Sequence, residues 1–556
     1  MDPFLCLKWK PVYRLILKEL KLESDLRFLT QTKRILQTVR YLKPEQIYYR
    51  LMYQLIPVRS LEKHHYEGSV NNNFSPPQLP STKNVLLISN KGYTFNLLNI
   101  EKTYPANVIN WTDQEHGRLW NYNLQYADFL NQDDLPVKIR ERLLSDLYNW
   151  LLDGKLPPEP YPASLRIINA VRFCSEHHTE LEHSQRLMKS LYSELKFLSG
   201  RLEYHLSGNH LLENGFALLM GGTFLKQEKW EIKAKNLLKS ELEKQILEDG
   251  GHYERSPMYH QIILFRVLEA IGYLEPDSEL SKFLRPKAEK MLSWLRAMTF
   301  NDGSFACFND SSPGIAYTSD ELIEMAENLS IQGKELPLSD SGYRVFNTES
   351  AKLIVDACGI KPDHQPGHAH ADSLSFVLHI YGMPVIVDPA VSSYETGERR
   401  DWERSTQAHN TTTVQNQNSA DVWQAFRVGR RPQMDILEER HNSITAKLSY
   451  KTNSGLDVQH KRSFEMNDDQ LELSDHVICQ EVATGRLYLD PNVNILSADT
   501  PHVKLSGGIN IFFEGNTNIK QFDYKKSIGF NKITNAHGIE YNYNEHCKIK
   551  IAWRVA

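Results

Sequence analysis

The chain has 556 residues, 41% of them hydrophobic and 10% aromatic, and a formal net charge of −5. That length exceeds one ordinary domain and is ample for two large cores, while so small a net charge excludes a nucleic-acid surface built on a basic field. No stretch of about 18 consecutive apolar residues occurs, which excludes a helical membrane span.

Met1 to Lys21 carries scattered charges and lacks a continuous apolar region ahead of a small-residue cleavage site. No secretion signal is read there, and the chain is expected to be cytoplasmic as encoded. The cysteines Cys6, Cys174, Cys307, Cys358, Cys479 and Cys547 form no C-x-x-C pair and no framework spacing, so they read as mostly free, buried thiols. Residues 1–80 are expected to be a helical arm and linker, ending in the polar, Pro-rich Asn71–Ser81. From 81 to 340 the three- and four-residue spacing of apolar side chains predicts helices at Leu135–Leu152, Ser164–His177, Leu181–Gly200, Leu211–Phe224, Trp230–Glu248, Met258–Gly272 and Leu280–Met298. Helical hairpins of this length form a bundle, a solenoid or a closed ring, and periodicity does not choose among them.

After Gly342 the texture becomes β. Strands are predicted at Ala351–Cys358, Leu374–Tyr381, Met383–Asp388, Asn410–Gln415, Asn442–Ser449, Asp457–Glu465, Gln470–Ile478, Arg486–Leu489, Ile509–Phe513, Asn518–Phe522 and Lys548–Val555, separated by Asn, Asp and Gly turns. The expected fold class is α+β multidomain, with an antiparallel β-sandwich over 341–556. The 26 Tyr and 9 Trp suit stacking on sugar rings, although core packing explains most aromatics.

Five constellations stand out. Ser207-Gly208-Asn209-His210 with Glu213-Asn214 opens an apolar helix, where Asn209 has a plain alternative reading as a helix cap. Asp249-Gly250-Gly251-His252-Tyr253-Glu254 leads through Ser256-Pro257 to Tyr259-His260, and its plain alternative is a polar interhelical loop. Asn301–Ser304 and Asn309–Ser311 read as turns. His368-Ala369-His370-Ala371-Asp372 is read as strand, which puts His368, His370 and Asp372 on one face. With Asp388 and His409, His370 makes a tetrahedral set with one open position, and imidazole plus carboxylate suits zinc better than calcium. Tyr394–Arg404 is rich in arginine, and Arg404 and its neighbours suit a bidentate grip on a carboxylate or sulfate, unless they form solvated ion pairs.

Gly208-Asn209-His210, Tyr253–His260, and Gly367–Asp372 followed by Asp388 and His409-Asn410 resemble the heparinase II/III superfamily of polysaccharide lyases, the heparinase- and alginate-lyase-like enzymes. Tyr48-Tyr49-Arg50-Leu51 is similar to that family's N-terminal arm. The resemblance runs from roughly residue 90 to the end and implies an incomplete (α/α) toroid over 81–340, packed on a heparinase II/III-like sandwich. It also implies β-elimination next to a uronic acid, leaving a 4,5-unsaturated sugar, on an anionic polysaccharide or oligosaccharide.

By that resemblance Asn209, with His210 nearby, neutralises the uronate carboxylate so that enolate-like charge can form. Tyr259 is the acid, and the base on one face of the sugar. His368 is the base for the other epimer, and Tyr253 is the fallback for Tyr259. Arg118, Trp120, Arg166 and Asn169 are placed along the substrate. His370, Asp388 and His409 match a structural zinc site, to which His368 is an alternative fourth ligand; no organic cofactor is expected. An acidic-leaning chain favours an unsulfated uronate. The runner-up function is a non-catalytic carbohydrate-binding or capsule-assembly protein, and glycoside hydrolysis lacks a paired carboxylate couple.

Overall fold

The computed structural model describes residues 25–105, 108–515 and 518–553. Cys6, Met1–Lys21 and the last residues of the expected Lys548–Val555 strand lie outside them. Among the described residues the arm holds two helices, α1 (Asp25–Val39) and α2 (Pro44–Leu55). Pro44 opens α2 where a missing N–H costs nothing, and the Gln46 side chain accepts from the Lys43 N–H at 2.9 Å. The arm fastens to the sheet region as well as to the helices. Arg34 pairs with Asp421 at 2.8 Å, Gln46 donates to the His364 carbonyl at 3.2 Å, and Tyr49 stacks on Tyr204 at 4.7 Å.

The short strands Leu86–Ser89, Gly92–Leu97 and Ile100–Tyr104 form a three-stranded antiparallel sheet within the region expected to be helical. Tyr93, Phe95 and Leu97 alternate inward, and Leu98 and Asn99, both with positive φ, make the two-residue turn. The helical body follows as α3 (Arg118–Tyr126), α4 (Val137–Leu152), α5 (Pro160–His177), α6 (Ser184–Gly200), α7 (Gly208–Phe224), α8 (Glu228–Gln245), α9 (Pro257–Tyr273), α10 (Glu279–Met298) and α11 (Ser319–Asn328). Neighbours in sequence pack together, α7 on α8 and α9 on α10, while α7 also touches α5 and α9. Helices α7 and α9 are buried on nearly every face, so they carry little amphipathic pattern and form the inner layer.

The C-terminal region holds an eight-stranded antiparallel sheet and two four-stranded sheets. Its strands show the period of two that burying one face demands; Asp457–Met466 alternates exposed and buried along its whole length. Inward residues of the sheets, such as Leu473, Ile549, Ile539 and Leu378, share one core. A smaller core joins the two regions: Trp294, Met298, Phe300 and Phe308 pack on Tyr343, Ile354 and Val377. Among the described residues, no helix is long and apolar enough to cross a membrane. Cys174, Cys307, Cys358, Cys479 and Cys547 are free thiols.

His368–Asp372 is not a strand. It lies in the connection from Ala351–Asp356 to Phe376–Ile380, because its backbone groups find partners outside any ladder. The His370 N–H donates to Asn309 Oδ1 at 2.9 Å, the Asp310 N–H to the His368 carbonyl at 3.1 Å, and the Ala371 N–H to the Arg404 carbonyl at 3.0 Å.

Candidate active site

Between the helical body and the sheets runs a cleft of about 1840 Å³, roomier than the site of a single small ligand. Asn209, His210, Tyr161 and Tyr259 line it from the helices, and His368, Tyr394 and Phe426 from the sheet side. Asn209 is the second residue of α7 and Tyr259 the third of α9, so two helix N-termini open on the cleft with their positive dipole ends. Ser256 caps α9, accepting from the Tyr259 N–H at 3.2 Å while its hydroxyl donates to the Asp310 carbonyl at 2.7 Å. Asn209 is not a cap; Ser207 holds that position. Gly208 has φ +61°, and a Cβ there would fall 1.9 Å from Glu254 Oε1, so glycine lets this turn close over the carboxylate.

Three side chains meet. The Tyr259 and His368 rings lie 3.9 Å apart, and the Asn209 amide nitrogen is 3.4 Å from His368 Nε2. The same amide donates to Glu254 Oε2 at 2.9 Å, which fixes its orientation. Burial, then the neighbouring Tyr394 and Asp310, push the Tyr259 phenol well above its ordinary value, so it holds its proton at neutral pH. Its hydroxyl lies 3.2 Å from that of Tyr394.

Asp310, expected in a turn, is the hub behind this trio. Its Oδ2 accepts from His368 Nδ1 at 2.9 Å and from Arg400 Nη2 at 2.8 Å, and its Oδ1 accepts from His370 Nε2 at 2.8 Å and from Arg400 Nη1. Burial opposes the charge on Asp310, but Arg400 and the two histidine bonds outweigh it and hold the carboxyl well below its usual range. With Nδ1–H committed to Asp310, His368 keeps the Nε2 lone pair facing the cleft. The arginine-rich loop therefore does clamp a carboxylate bidentately, but the carboxylate is the protein's own. Asp310 and Tyr394 stood inside segments read as a turn and as an arginine-rich loop, with no signal that joined either to the histidines; Glu254, the orienter of Asn209, stood inside the Asp249–His260 segment.

Beside the hub, His370, Asp372 and His409 bring ligand atoms within 4.8 Å of one another. All three are buried, and His370 Nδ1, Asp372 Oδ2 and His409 Nε2 have no hydrogen-bond partner among the described residues. Asp388, expected as a ligand, stands on the far side of the His409 ring and accepts from its Nδ1 at 2.7 Å; Asp372 takes its place in the group. His368 is outside the group, committed to Asp310. Burial, then repulsion from Asp372, pushes the buried Asp356 carboxyl up, and burial, with Asp388 nearby, pushes Asp372 up. Two lone pairs and a costly buried charge aimed at one point suit a divalent cation, with Asp310 and Asp388 as the carboxylates that set each histidine's tautomer.

Two family models match the chain, heparinase II/III N-terminus over residues 166–329 and heparinase II/III-like, C-terminal over 333–542. The chain belongs to the heparinase II/III family. A heparin-sulfate lyase of Pedobacter heparinus is 25% identical over 343 residues, covering 55% of this chain and 49% of the relative. One of Bacteroides stercoris is 26% identical over 251 residues, 39% of this chain and 37% of the relative. The chain thus matches about half or less of the length of these curated relatives. The crystal structure of heparinase III shares the fold, with a TM-score of 0.65 at 18% identity, covering 81% of this chain and 80% of that one.

The other residues singled out in this heparinase II/III sequence divide into two sets. His210 lines the cleft, but its ring turns to Tyr161 (4.3 Å) and to Glu203 (3.2 Å). Arg118 and Asn169 line it too, Arg118 paired with Glu159 and Asn169 donating to Asp128 at 2.8 Å. Trp120, Arg166, Tyr253 and Arg404 are away from it. Trp120 is core and donates to the Ile100 carbonyl at 3.3 Å, and Arg166 is wholly buried against Glu194. Arg404 holds the Ala369 carbonyl at 3.0 Å, and the Tyr253 hydroxyl reaches Ser207 at 3.4 Å. Trp120, Arg166 and Arg404 thus satisfy buried backbone or a buried charge, a demand that sequence does not display.

Proposed function

We propose that this protein is a polysaccharide lyase that cleaves a uronate-containing glycosaminoglycan by β-elimination. The observation that carries the reading is the convergence of Asn209, Tyr259 and His368 on one cleft. The uronate carboxylate replaces the long Asn209–His368 contact, takes the amide's free proton and sits at the N-terminus of α7, which lowers the cost of enolate-like charge. His368 Nε2 removes the C-5 proton, and Asp310 steadies the imidazolium that results. Tyr259, protonated at rest, gives its proton to the departing O-4, leaving a 4,5-unsaturated uronate. Tyr394 orients the Tyr259 phenol, and Phe426, 42% exposed, offers its ring to an apolar sugar face.

His370, Asp372 and His409 would hold zinc, whose contribution is to rigidify the loop that carries His368. Four arginines along the cleft are already engaged by carboxylates, Arg118 with Glu159, Arg172 with Glu269, Arg266 with Glu213 and Glu269, and Arg431 with Asp363, which favours a weakly sulfated or unsulfated polymer; Lys83, Arg201 and Lys532 line the cleft without an ion pair among the described residues. The test is the absorbance of the conjugated uronate after incubation with heparosan, heparan sulfate, hyaluronan and alginate. Heparosan or weakly sulfated heparan should give it. New reducing ends without that absorbance would make the protein a hydrolase, and neither signal would make it a binder.

A further inference from the structure

We infer that His476, Glu545 and His546 form a second divalent-metal site, on the outer face of the eight-stranded sheet and independent of the lyase reading. His476 lies in the strand Gln470–Ile478 and His546 opens the strand His546–Ala552; the two residues are directly opposed in the antiparallel register. Alternation sends Asp475 and Val477 inward and leaves His476 on the outer face, beside His546.

The backbone is fixed before any ion arrives. The Val477 N–H donates to the Glu545 carbonyl at 2.9 Å, so Glu545 is held by the ladder and not by a loose loop. The imidazole rings stack with centroids 4.0 Å apart. Glu545 Oε1 lies 3.3 Å from His476 Nε2 and 3.6 Å from His546 Nε2, and one ligand atom from each residue falls within 4.8 Å of the others.

Those separations decide the chemistry. A tetrahedral zinc ion with bonds of about 2.0–2.1 Å sets its ligand atoms about 3.3 Å apart, and the two imidazole–carboxylate distances stand close to that edge. Two nitrogens and one oxygen exclude a hard cation that wants an all-oxygen shell, and favour zinc or its first-row neighbours, with water completing the coordination. Lys461 is paired opposite His476 on its other side, and Lys548 is held by Glu472 at 2.8 Å. One ammonium near the site limits its affinity without occupying it.

The test uses the full chain, stripped with a chelator and titrated with Zn²⁺ against a competing chromophoric chelator. The native protein should take up one equivalent more than His476→Gln or His546→Gln, and Glu545→Gln should weaken that equivalent roughly tenfold or more. All three side chains are on the surface, so matching melting curves should certify the variants. The buried His370–Asp372–His409 group is common to every variant and cancels in the comparison, so its failure and the failure of this site are distinguishable. Equal zinc uptake by the native chain and both histidine variants would overturn the proposal.

Discussion

Asp310→Asn is the sharpest probe of the site. The native carboxylate accepts four donors, two on each oxygen: His368 and Arg400 on one, His370 and Arg400 on the other. An asparagine of the same shape has one acceptor oxygen and one donor nitrogen, so on one side donor faces donor. If the amide nitrogen falls on the His368 side, that ring moves its proton to Nε2 and loses the lone pair needed at C-5. Loss of a positioned base costs about 10²–10⁴-fold, or about 3–5 kcal/mol of barrier. If it falls on the His370 side, that ring must protonate Nδ1, the atom aimed at the proposed zinc position, and metal binding there should be lost instead. In both cases Arg400, wholly buried, loses its counter-charge, which costs about 3–5 kcal/mol of stability. The assays are kcat from the unsaturated product, metal content by plasma mass spectrometry, and a melting curve. A variant that keeps native kcat and native metal content together would refute the role of Asp310 as the shared hub.

Tyr259→Phe keeps the ring against His368 and removes only the proton donor; kcat should fall about 10²–10⁴-fold with little change in melting temperature, and unaltered turnover would remove the assigned acid. Tyr394→Phe deletes one hydrogen bond worth about 0.5–1.5 kcal/mol, so kcat should drop about 3–10-fold, with KM nearly constant, in steady-state assays. His370→Ala should release metal and lower the melting temperature; the absence of metal from the native protein would end the zinc proposal while leaving the lyase reading standing. His210 offers a pH signature. Burial opposes its charge, but Glu203 outweighs it and raises the imidazole above its ordinary 6.5. The pair's stabilisation is then complete below about pH 6.5 and fades as pH climbs through the raised value. Denaturant midpoints of native protein minus Glu203→Gln should therefore differ most in mildly acid buffer, above the depressed range in which Glu203 itself protonates, and the difference should shrink in alkaline buffer; a constant difference would contradict the pairing.

Local pattern determined a good deal about this chain. Seven helices from Leu135 to Met298 stand within a few residues of their expected bounds, because a periodic apolar face is written residue by residue. Alternating strands such as Asp457–Met466 and Gln470–Ile478 were legible for the same reason. The Leu86–Tyr104 sheet and the largely exposed strands Gln433–Arg440 and Ile495–Asp499 were not legible, since short or exposed strands share their composition with loops. Asn209, Tyr259 and His368 could be named from motif, but their convergence was a property of the folded molecule. Tertiary structure alone decided that His368–Asp372 is a loop, that Arg400 answers Asp310, and that Asp372 replaces Asp388 beside His370 and His409. Those choices depend on which buried charge finds which partner across tens of residues, 90 between Arg400 and Asp310, and a buried charge is satisfied by proximity in space, which sequence order does not encode.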